Sequence, residues 1–188
     1  RAHRHDLPSR HNRSLGKDAP QMIEPVLRPF DSNDQEGVIA LIDQVYQEYG
    51  DRLCLEGADA DLTDIPTTYL HAGGSFVVLA GERILGSHAL LPLDPARATC
   101  TFRRLYLDSS LRGTGWGEKL MDWAIEQARQ EEFKRIEFWS DTRFTRAHRF
   151  FERIGFQRDG RIREMSDGWI PYQEYFFWYD LHPSPPAD

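Results

Sequence analysis

The sequence predicts an α/β domain in which one mixed, mostly antiparallel sheet carries helices on both faces. The chain has 188 residues, 40% of them hydrophobic, which suits a single domain with a sizeable core. Apolar stretches with strand-like spacing alternate with stretches of helical spacing along most of that length. Two early strand-like stretches are separated only by a short turn at Gly81-Glu82, which indicates a hairpin and hence antiparallel pairing.

The two ends of the chain differ from its middle. Residues 1–24 are polar, rich in His and Arg and without periodicity, so we expect a flexible N-terminal extension, with a basic binding arm as the alternative. Residues 182–188 are rich in proline and cannot continue regular structure. We therefore expect residues 25–181 to form one domain.

The first half of this domain is expected to supply one helix and four strands. Ser32 followed by Gln35 has the spacing of a capping box and predicts the start of the helix, which Gly50 ends. Residues 51–66 are irregular and acidic, and Thr67–His71 is expected to be a helical turn. The strands are expected at Val26–Phe30, Phe76–Ala80, Ile84–Leu91 and Thr99–Leu107.

The second half is expected to supply two amphipathic helices and three strands. In both helices apolar residues recur three and four positions apart, and Gly155 is a natural stop for the second helix. We expect helices at Glu118–Gln130 and Arg146–Ile154, and strands at Arg135–Trp139, Phe156–Arg163 and Tyr175–Leu181.

Composition excludes several classes of protein. The net charge of −7 argues against a nucleic-acid partner and permits a cationic substrate. No apolar run approaches the roughly 20 residues that span a bilayer, and no apolar leader segment is visible, so we expect no membrane partner. Cys54 and Cys100 are too few for a disulfide framework and favour a cytoplasmic protein with reduced thiols. We expect no metal site.

The most informative motif lies between the predicted strand that ends at Leu107 and the following helix. Residues 111–117 read Leu-Arg-Gly-Thr-Gly-Trp-Gly, with three glycines at alternate positions behind Arg112. The backbone amides of such a turn can all face one anion, with help from the helix dipole. A Walker A loop is excluded because Glu118 stands where that motif has lysine, and the glycine spacing does not fit a dinucleotide fingerprint. The pattern that remains is Arg-x-x-Gly-x-Gly.

A second block supports one interpretation of that loop. Residues 147–156 read Ala-His-Arg-Phe-Phe-Glu-Arg-Ile-Gly-Phe and follow the loop after one intervening strand. Together the two blocks resemble the GCN5-related N-acetyltransferase (GNAT) superfamily, and the resemblance extends over residues 25–181. It implies that the anion is the pyrophosphate of coenzyme A and that acetyl-CoA is the cosubstrate.

The resemblance also implies which residues hold the cofactor. The amides of residues 113–117 would meet the pyrophosphate, and the backbone of residues 105–107 would bond the pantetheine. An amide of Leu105 or Leu107 would face the thioester carbonyl. The implied cofactor-binding residues are Leu105, Tyr106, Leu107, Arg112, Gly113, Thr114, Gly115, Trp116, Gly117 and Phe150. Trp116 is expected either to pack on the helix flank or to shield the cofactor.

The acid–base residues of the family have no equivalent in this chain. A glutamate of many members corresponds to Thr101, and a tyrosine that often protonates the departing thiolate corresponds to Phe151. We expect Asp141 to take the proton of the amine, with a helix-capping role as the alternative. Further candidates are His88, Tyr172 and Glu174.

Four arginines are expected on the second helix or just before it. Arg143, Arg146, Arg149 and Arg153 read as a solvated face, from which one or two side chains can reach the 3′-phosphate of coenzyme A. Phe144, where the family often has asparagine, is expected to pack.

We therefore expect an acetyl-CoA-dependent N-acetyltransferase that transfers acetyl directly to a small-molecule or peptide amine. A non-catalytic acyl-CoA-binding module is the alternative, since Thr101 and Phe151 cannot do the usual acid–base chemistry. Transfer of a longer acyl group is a third possibility. Fold analogy also suggests a homodimer formed through the last strands.

Overall fold

The computed structural model describes residues 24–181, so the predictions for the two chain ends lie outside the described residues. Seven strands form one sheet in the order β1-β2-β3-β4-β5-β7-β6, with only β4 and β5 parallel. The elements are β1 (Val26–Pro29), α1 (Gln35–Gln47), β2 (Ser75–Ala80), β3 (Ile84–Asp94), β4 (Thr99–Leu107), α2 (Trp116–Gln130), β5 (Arg135–Asp141), α3 (Thr145–Ile154), β6 (Ile162–Met165) and β7 (Tyr172–Asp180). The predicted fold class is confirmed.

Helices cover both faces of the sheet. On one face, Leu41 of α1 packs with Phe76 of β2 and with the short helical segments at 60–63 and 66–70. On the other face, Met121 of α2 packs with Phe138 of β5 and with α3. Alternate strand residues divide between the two cores, as the pleat of a sheet requires. Within residues 24–181 no helix is long and apolar enough to span a membrane.

Two local predictions were wrong by small shifts. The capping box uses Asp31 and Asp34 instead of Ser32 and Gln35, because a short 3-10 turn precedes α1 and brings these two carboxylates to the exposed amides. The predicted strand Phe156–Arg163 is β6 at Ile162–Met165, joined upstream only by an isolated bridge between Gln157 and Trp178. Gly160, with φ of +85°, turns the chain between them.

The parallel pair β4–β5 is short, and this shortness shapes the rest of the molecule. Register pairs join Thr99 to Arg135 and Cys100 to Ile136, and the strands then part. Beyond that point β5 is held by β7, with which it pairs along its whole length. One edge of β4 therefore has no strand partner from residue 101 onward within the described residues.

A bulge in β4 lies beside this opening. Ser87 pairs with Tyr106 and Ala89 with Arg103, so Arg104 and Leu105 both lie opposite His88. Arg104 adopts φ of +57°, which is uncommon for a residue with a side chain, and its carbonyl accepts a 2.7 Å hydrogen bond from Ser87 Oγ. The bulge turns Arg104 out of the ordinary alternation of the strand.

His88 lies in the core beneath the bulge. Its ring is fully buried, edge-on to Phe102 at 4.8 Å and near Trp123. Nδ1 is 3.1 Å from the carbonyl oxygen of Leu120, so Nδ1 carries the proton, while Nε2 has no partner among the described residues. Burial lowers the pKa of His88 to about 4, which keeps the ring neutral near pH 7.

His88 should make the protein sensitive to mild acid. The folded pKa of about 4 lies below the 6.5 of an unfolded histidine, so the unfolded chain binds more protons between these values. The contribution is complete above pH 6.5 and is lost as the pH falls toward 4, by about 3 kcal/mol in all. We expect this part of the pH dependence of the unfolding free energy to vanish in His88→Asn, whose amide can still donate to Leu120.

The measurement is urea unfolding of both proteins across that pH range. His148, whose pKa burial also lowers, is present in both and cancels in the comparison. Parallel curves for the two proteins would contradict a neutral, buried His88, whatever the absolute loss of stability in the variant.

Candidate active site

The glycine-rich loop presents backbone donors at the start of α2. Gly113 and Gly115 have φ of +75° and +90°, and Gly115 forms the N-cap of the helix. The amides of Gly113, Gly115, Trp116 and Gly117 have no acceptor among the described residues. The amide of Thr114 donates to the carbonyl of Leu111 at 3.3 Å, so the expectation of five free amides was wrong at that position. Four amides remain for an anion.

Asp108 holds the start of this loop. One of its carboxylate oxygens accepts from the amide and the hydroxyl of Ser110, at 3.0 and 2.6 Å. The other accepts from Arg83 at 2.6 Å and from Gln44 of α1 at 3.1 Å. Burial acts to raise the pKa of Asp108, but the hydrogen bonds from Ser110 and Arg83 outweigh it and hold that pKa well below its usual range. The carboxylate thus fixes the end of β4 to two other elements.

A cavity of about 320 Å³ adjoins the loop; we call it the loop cavity. It is bounded by α1, the end of β4, the loop and α3. Of the predicted cofactor residues, it is lined by Leu105, Tyr106, Leu107, Arg112, Gly113, Gly117 and Phe150. Thr114, Gly115 and Trp116 do not line it. Trp116 lies on the helix flank under Lys119, whose Nζ is 4.0 Å from the ring centroid.

The arginines around the loop cavity differ in what they already bind. Arg112 donates to both carboxylate oxygens of Glu48, at 2.6 and 2.9 Å. Arg153 pairs with Glu118 at 2.9 Å. Arg146 also lines the loop cavity and has no carboxylate partner among residues 24–181.

The other two arginines of the predicted set lie elsewhere. Arg149 is exposed, donates to the carbonyl of Thr145 and does not line the loop cavity. Arg143 lies on the second cavity, described next.

The second cavity, of about 210 Å³, occupies the opening between β4 and β5; we call it the cleft cavity. It adjoins the loop cavity, with which it shares four lining residues, Leu105, Tyr106, Phe144 and Ala147. Its inner wall is apolar and belongs to the core on the α2–α3 face, with Phe102, Met121, Phe138 and Phe151. Its outer wall is polar and comes from residues 51–59 and 163–174.

Two loops join over the outer wall. The indole of Trp169 donates to the carbonyl of Leu53 at 2.7 Å, and the amide of Ala58 donates to the carbonyl of Asp167 at 2.9 Å. The guanidinium of Arg52 lies 3.7 Å from the Trp169 ring centroid. The segments before β2 and before β7 therefore bound the cleft cavity together.

A buried ionic cluster anchors the bulge of β4 to the same wall. Arg104, only 8% exposed, donates to Asp59 at 2.8 Å, to Asp61 and to the carbonyl of Ala58. Burial acts to raise the pKa of Asp61, but hydrogen bonds from Arg104 outweigh it and hold that pKa below its usual range. Tyr69, buried and outside both cavities, donates to Asp61. None of this cluster was singled out from the sequence.

Asp141 is the last residue of β5 and lines the cleft cavity. Both of its carboxylate oxygens accept from the Arg143 guanidinium, one of them also from the Arg143 amide at 2.8 Å. Arg143 also pairs with Asp51 at 2.8 Å. The capping alternative for Asp141 was wrong, because Phe144 is the N-cap of α3 and no side chain caps it. The proton-accepting role of Asp141 stays a prediction.

The remaining acid–base candidates are spread over the site. Glu174 lines the cleft cavity and accepts from Arg163 at 2.6 Å, and burial raises the pKa of Glu174. Tyr172 donates to Asp167 at 3.1 Å, and burial raises its pKa. Thr101, which the resemblance matches to a glutamate of the family, lines neither cavity.

Comparison with known proteins agrees with this geometry. The family model described as "Acetyltransferase (GNAT) family" matches residues 41–156. The uncharacterized N-acetyltransferase YjgM of Escherichia coli (strain K12) is 30% identical over 144 residues, which cover 74% of this chain and 84% of YjgM. N-acetyltransferase 8F1 of Rattus norvegicus is 31% identical over 64% of this chain, which spans 55% of the rat protein.

Solved structures share the fold at low sequence identity. A GNAT-family acetyltransferase from Staphylococcus aureus Mu50 superimposes with a TM-score of 0.73 at 20% identity, covering 84% of this chain and 99% of its own. The Salmonella typhimurium protein yncA, solved with its cofactor acetyl-CoA, superimposes with a TM-score of 0.64 at 16% identity over 88% of this chain and 99% of its own. The chain therefore belongs to the acetyltransferase (GNAT) family, whose general reaction is acetyl transfer from acetyl-CoA.

Proposed function

We propose that this protein transfers the acetyl group of acetyl-CoA directly to a primary amine. The observation that carries the proposal is that the two cavities share four lining residues at the point where β4 and β5 part. The loop cavity is assigned to coenzyme A and the cleft cavity to the acceptor, so that the thioester lies at their junction.

Coenzyme A would be held mostly by backbone. The free amides at the start of α2 suit the pyrophosphate, because they combine hydrogen-bond donors with the positive end of the helix dipole. The unpaired edge of β4 at residues 105–107 suits the amides of the pantetheine, which would extend the sheet as a strand does. Arg146 supplies a positive charge that no carboxylate neutralises among the described residues.

Transfer would proceed without a covalent enzyme intermediate. Cys100 is fully buried, and burial raises the pKa of its thiol to about 12, so it carries no thiolate near pH 7. An amide donor of β4 at Leu105 or Leu107, facing the thioester carbonyl, would stabilise the negative charge that develops on that oxygen by roughly 3 kcal/mol. The amine then attacks the carbonyl carbon directly.

The proposal is tested by thiol release from acetyl-CoA with a panel of amines. The panel contains free amino acids, polyamines, amino sugars and peptides with a free N-terminus or a lysine. We expect at least one amine to release thiol and to gain an acetyl group by mass spectrometry, and Cys54→Ala and Cys100→Ala to retain the activity. Tight binding of acetyl-CoA without turnover of any amine would instead favour the non-catalytic binding module. The absence of the family's acid–base residues supports that alternative.

Gly115→Ala should weaken coenzyme A binding by at least about 10-fold, as measured by calorimetry. A Cβ at Gly115 meets no protein atom within 4 Å, but φ of +90° disfavours any side chain, so the loop must change its shape. Gly160→Ala is the matched control, since Gly160 has φ of +85° and equally open surroundings and lies on neither cavity. Equal affinities of the two variants would contradict the loop as the pyrophosphate site.

Arg146→Ala should lower the affinity for coenzyme A by about 10-fold and leave that for 3′-dephospho-coenzyme A almost unchanged. The reason is that the unpaired guanidinium would form a charge-assisted hydrogen bond with the 3′-phosphate. Arg149→Ala is the matched control. Arg149 is also an arginine of α3, about one turn from Arg146, but it lines neither cavity, so its loss should change neither affinity. An equal loss for both ligands in Arg146→Ala would exclude the 3′-phosphate as its partner.

A further inference from the structure

We propose that Tyr106, Tyr46 and Asp59 form a proton relay that takes the proton from the acceptor's ammonium group. The inference rests on the proposed function, because it assigns the acid–base chemistry of the same site. It answers how the proton moves in a chain that has Thr101 and Phe151 where the family has a glutamate and a tyrosine.

The relay starts where the thioester would lie. Tyr106 is one of four residues that line both cavities, and its hydroxyl donates to the hydroxyl of Tyr46 at 3.2 Å. Tyr46, on α1, donates in turn to Asp59 Oδ1 at 3.1 Å. The chain of hydrogen bonds is continuous and leads from the junction of the cavities to a carboxylate that is 1% exposed and that, like Tyr46, also lines the cleft cavity.

The formal charges around Asp59 do not cancel. Arg104 is the only guanidinium buried among the described residues, and it faces two carboxylates, Asp59 and Asp61, whose side chains are 2% and 9% exposed. Arg103 approaches Asp61 at 3.9 Å, but its side chain is 43% exposed, so solvent screens its charge. The buried cluster therefore has one negative charge in excess, which a single added proton neutralises.

The two hydroxyls are suited to pass a proton on without ionising. Burial raises the pKa of Tyr46 and of Tyr106, so both remain protonated throughout the neutral range. A neutral hydroxyl can accept a proton on oxygen while it gives up its own. Asp59 also accepts from Arg104 of β4 and, at 2.8 Å, from the backbone amide of Cys54. The other charged or titratable groups near it are Asp61, which shares Arg104 with it, and Tyr172 of β7.

Proton transfer precedes acetyl transfer in the proposed reaction. An alkylamine with a pKa of about 10.4 arrives almost entirely as ammonium near pH 7. One N–H bond breaks as an O–H bond forms on Tyr106; the proton of Tyr106 passes to Tyr46, and that of Tyr46 to Asp59. The neutral amine attacks the thioester carbon, and the C–S bond breaks after the C–N bond has formed. The second nitrogen proton goes to the departing thiolate, and the proton on Asp59 returns to solvent through the same hydroxyls.

The test variant is Tyr46→Phe, which removes the middle hydroxyl and keeps the ring. The probe is acetyl-CoA with the panel amine that the wild-type protein turns over fastest. We expect kcat to fall about 100-fold near pH 7, as for loss of general base catalysis, with little change in the KM of acetyl-CoA. The deficit should shrink as the pH rises toward the pKa of the amine, because the amine then arrives neutral.

Tyr69→Phe is the matched control. It removes a buried tyrosine hydroxyl bound to the other carboxylate of the same cluster, Asp61, but Tyr69 lines neither cavity. We expect near wild-type kcat at every pH. A loss of the same size in both variants would mean that the cluster is only structural, and it would overturn the relay.

Two further outcomes separate this inference from the proposed function. Turnover by the wild-type protein that Tyr46→Phe leaves unchanged overturns the relay alone. The same holds if Asp141→Asn or Glu174→Gln, and not Tyr46→Phe, shows the loss with recovery at high pH, because that carboxylate is then the base. Absence of turnover in the wild-type protein overturns the proposed function and the relay with it.

Discussion

The separation of β4 from β5 is the constraint on which the rest of the structure depends. Neighbouring strands normally stay about 4.8 Å apart and satisfy one another's backbone groups along their length. Here the pairing stops after Cys100, while β5 keeps its full set of partners in β7. On their other edges β4 stays paired with β3 and β5 with β7, so the two edges that face the opening, one from each strand, must find other partners for their amides and carbonyls. A ligand that has peptide-like groups meets that need. A fully paired sheet would leave no free strand edge for such a ligand.

Two features hold the strands apart, one on each face of the sheet. On the α2–α3 face, Phe138 contacts Phe151 at 5.0 Å and Phe102 at 6.4 Å between ring centroids, so aromatic rings occupy the wedge between the strands. On the α1 face, the bulge turns Arg104 into the carboxylates of Asp59 and Asp61. Removing one partner of a buried ion pair typically costs about 3–5 kcal/mol, so the bulge is held firmly. The opening belongs to the folded state and does not await a ligand.

The sequence predicts the turns and helix ends that depend only on neighbouring residues. The positive φ values of Gly115 and Gly155 occur where a strand must turn into a helix and where α3 must stop, and glycine spacing alone indicates both. The errors at Ser32 and at Phe156–Arg163 are also local: a carboxylate one position earlier made the better cap, and Gly160 broke an apparent strand. Such shifts move boundaries and leave the topology unchanged.

The ionic cluster was beyond local reasoning for a physical reason. Arg104 and Asp59 are 45 residues apart, and nothing in the pattern of either segment pairs them. Arg104 occupies a strand that reads as ordinary alternation, and only the bulge, set by pairing with β3, turns it toward residues 59–61. Tyr46 likewise fits the apolar spacing of α1, which gives no sign that its hydroxyl faces a cavity. Residues 51–66 read as an irregular acidic stretch, although Asp59 is only 1% exposed and the side chain of Asp61 only 9% exposed.

The two faces of β4 divide the chemistry that the proposed reaction requires. Successive residues Leu105 and Tyr106 belong to opposite cores, yet both line the junction of the two cavities. On the Leu105 side, Phe151 packs among Phe138 and Phe177, so this face offers apolar surface. On the Tyr106 side, hydroxyls lead to a buried carboxylate. Phe151 thus belongs to an apolar face of the opening, and the proposed proton transfer lies on the other face, where Arg104 of the bulge meets Asp59 and Asp61.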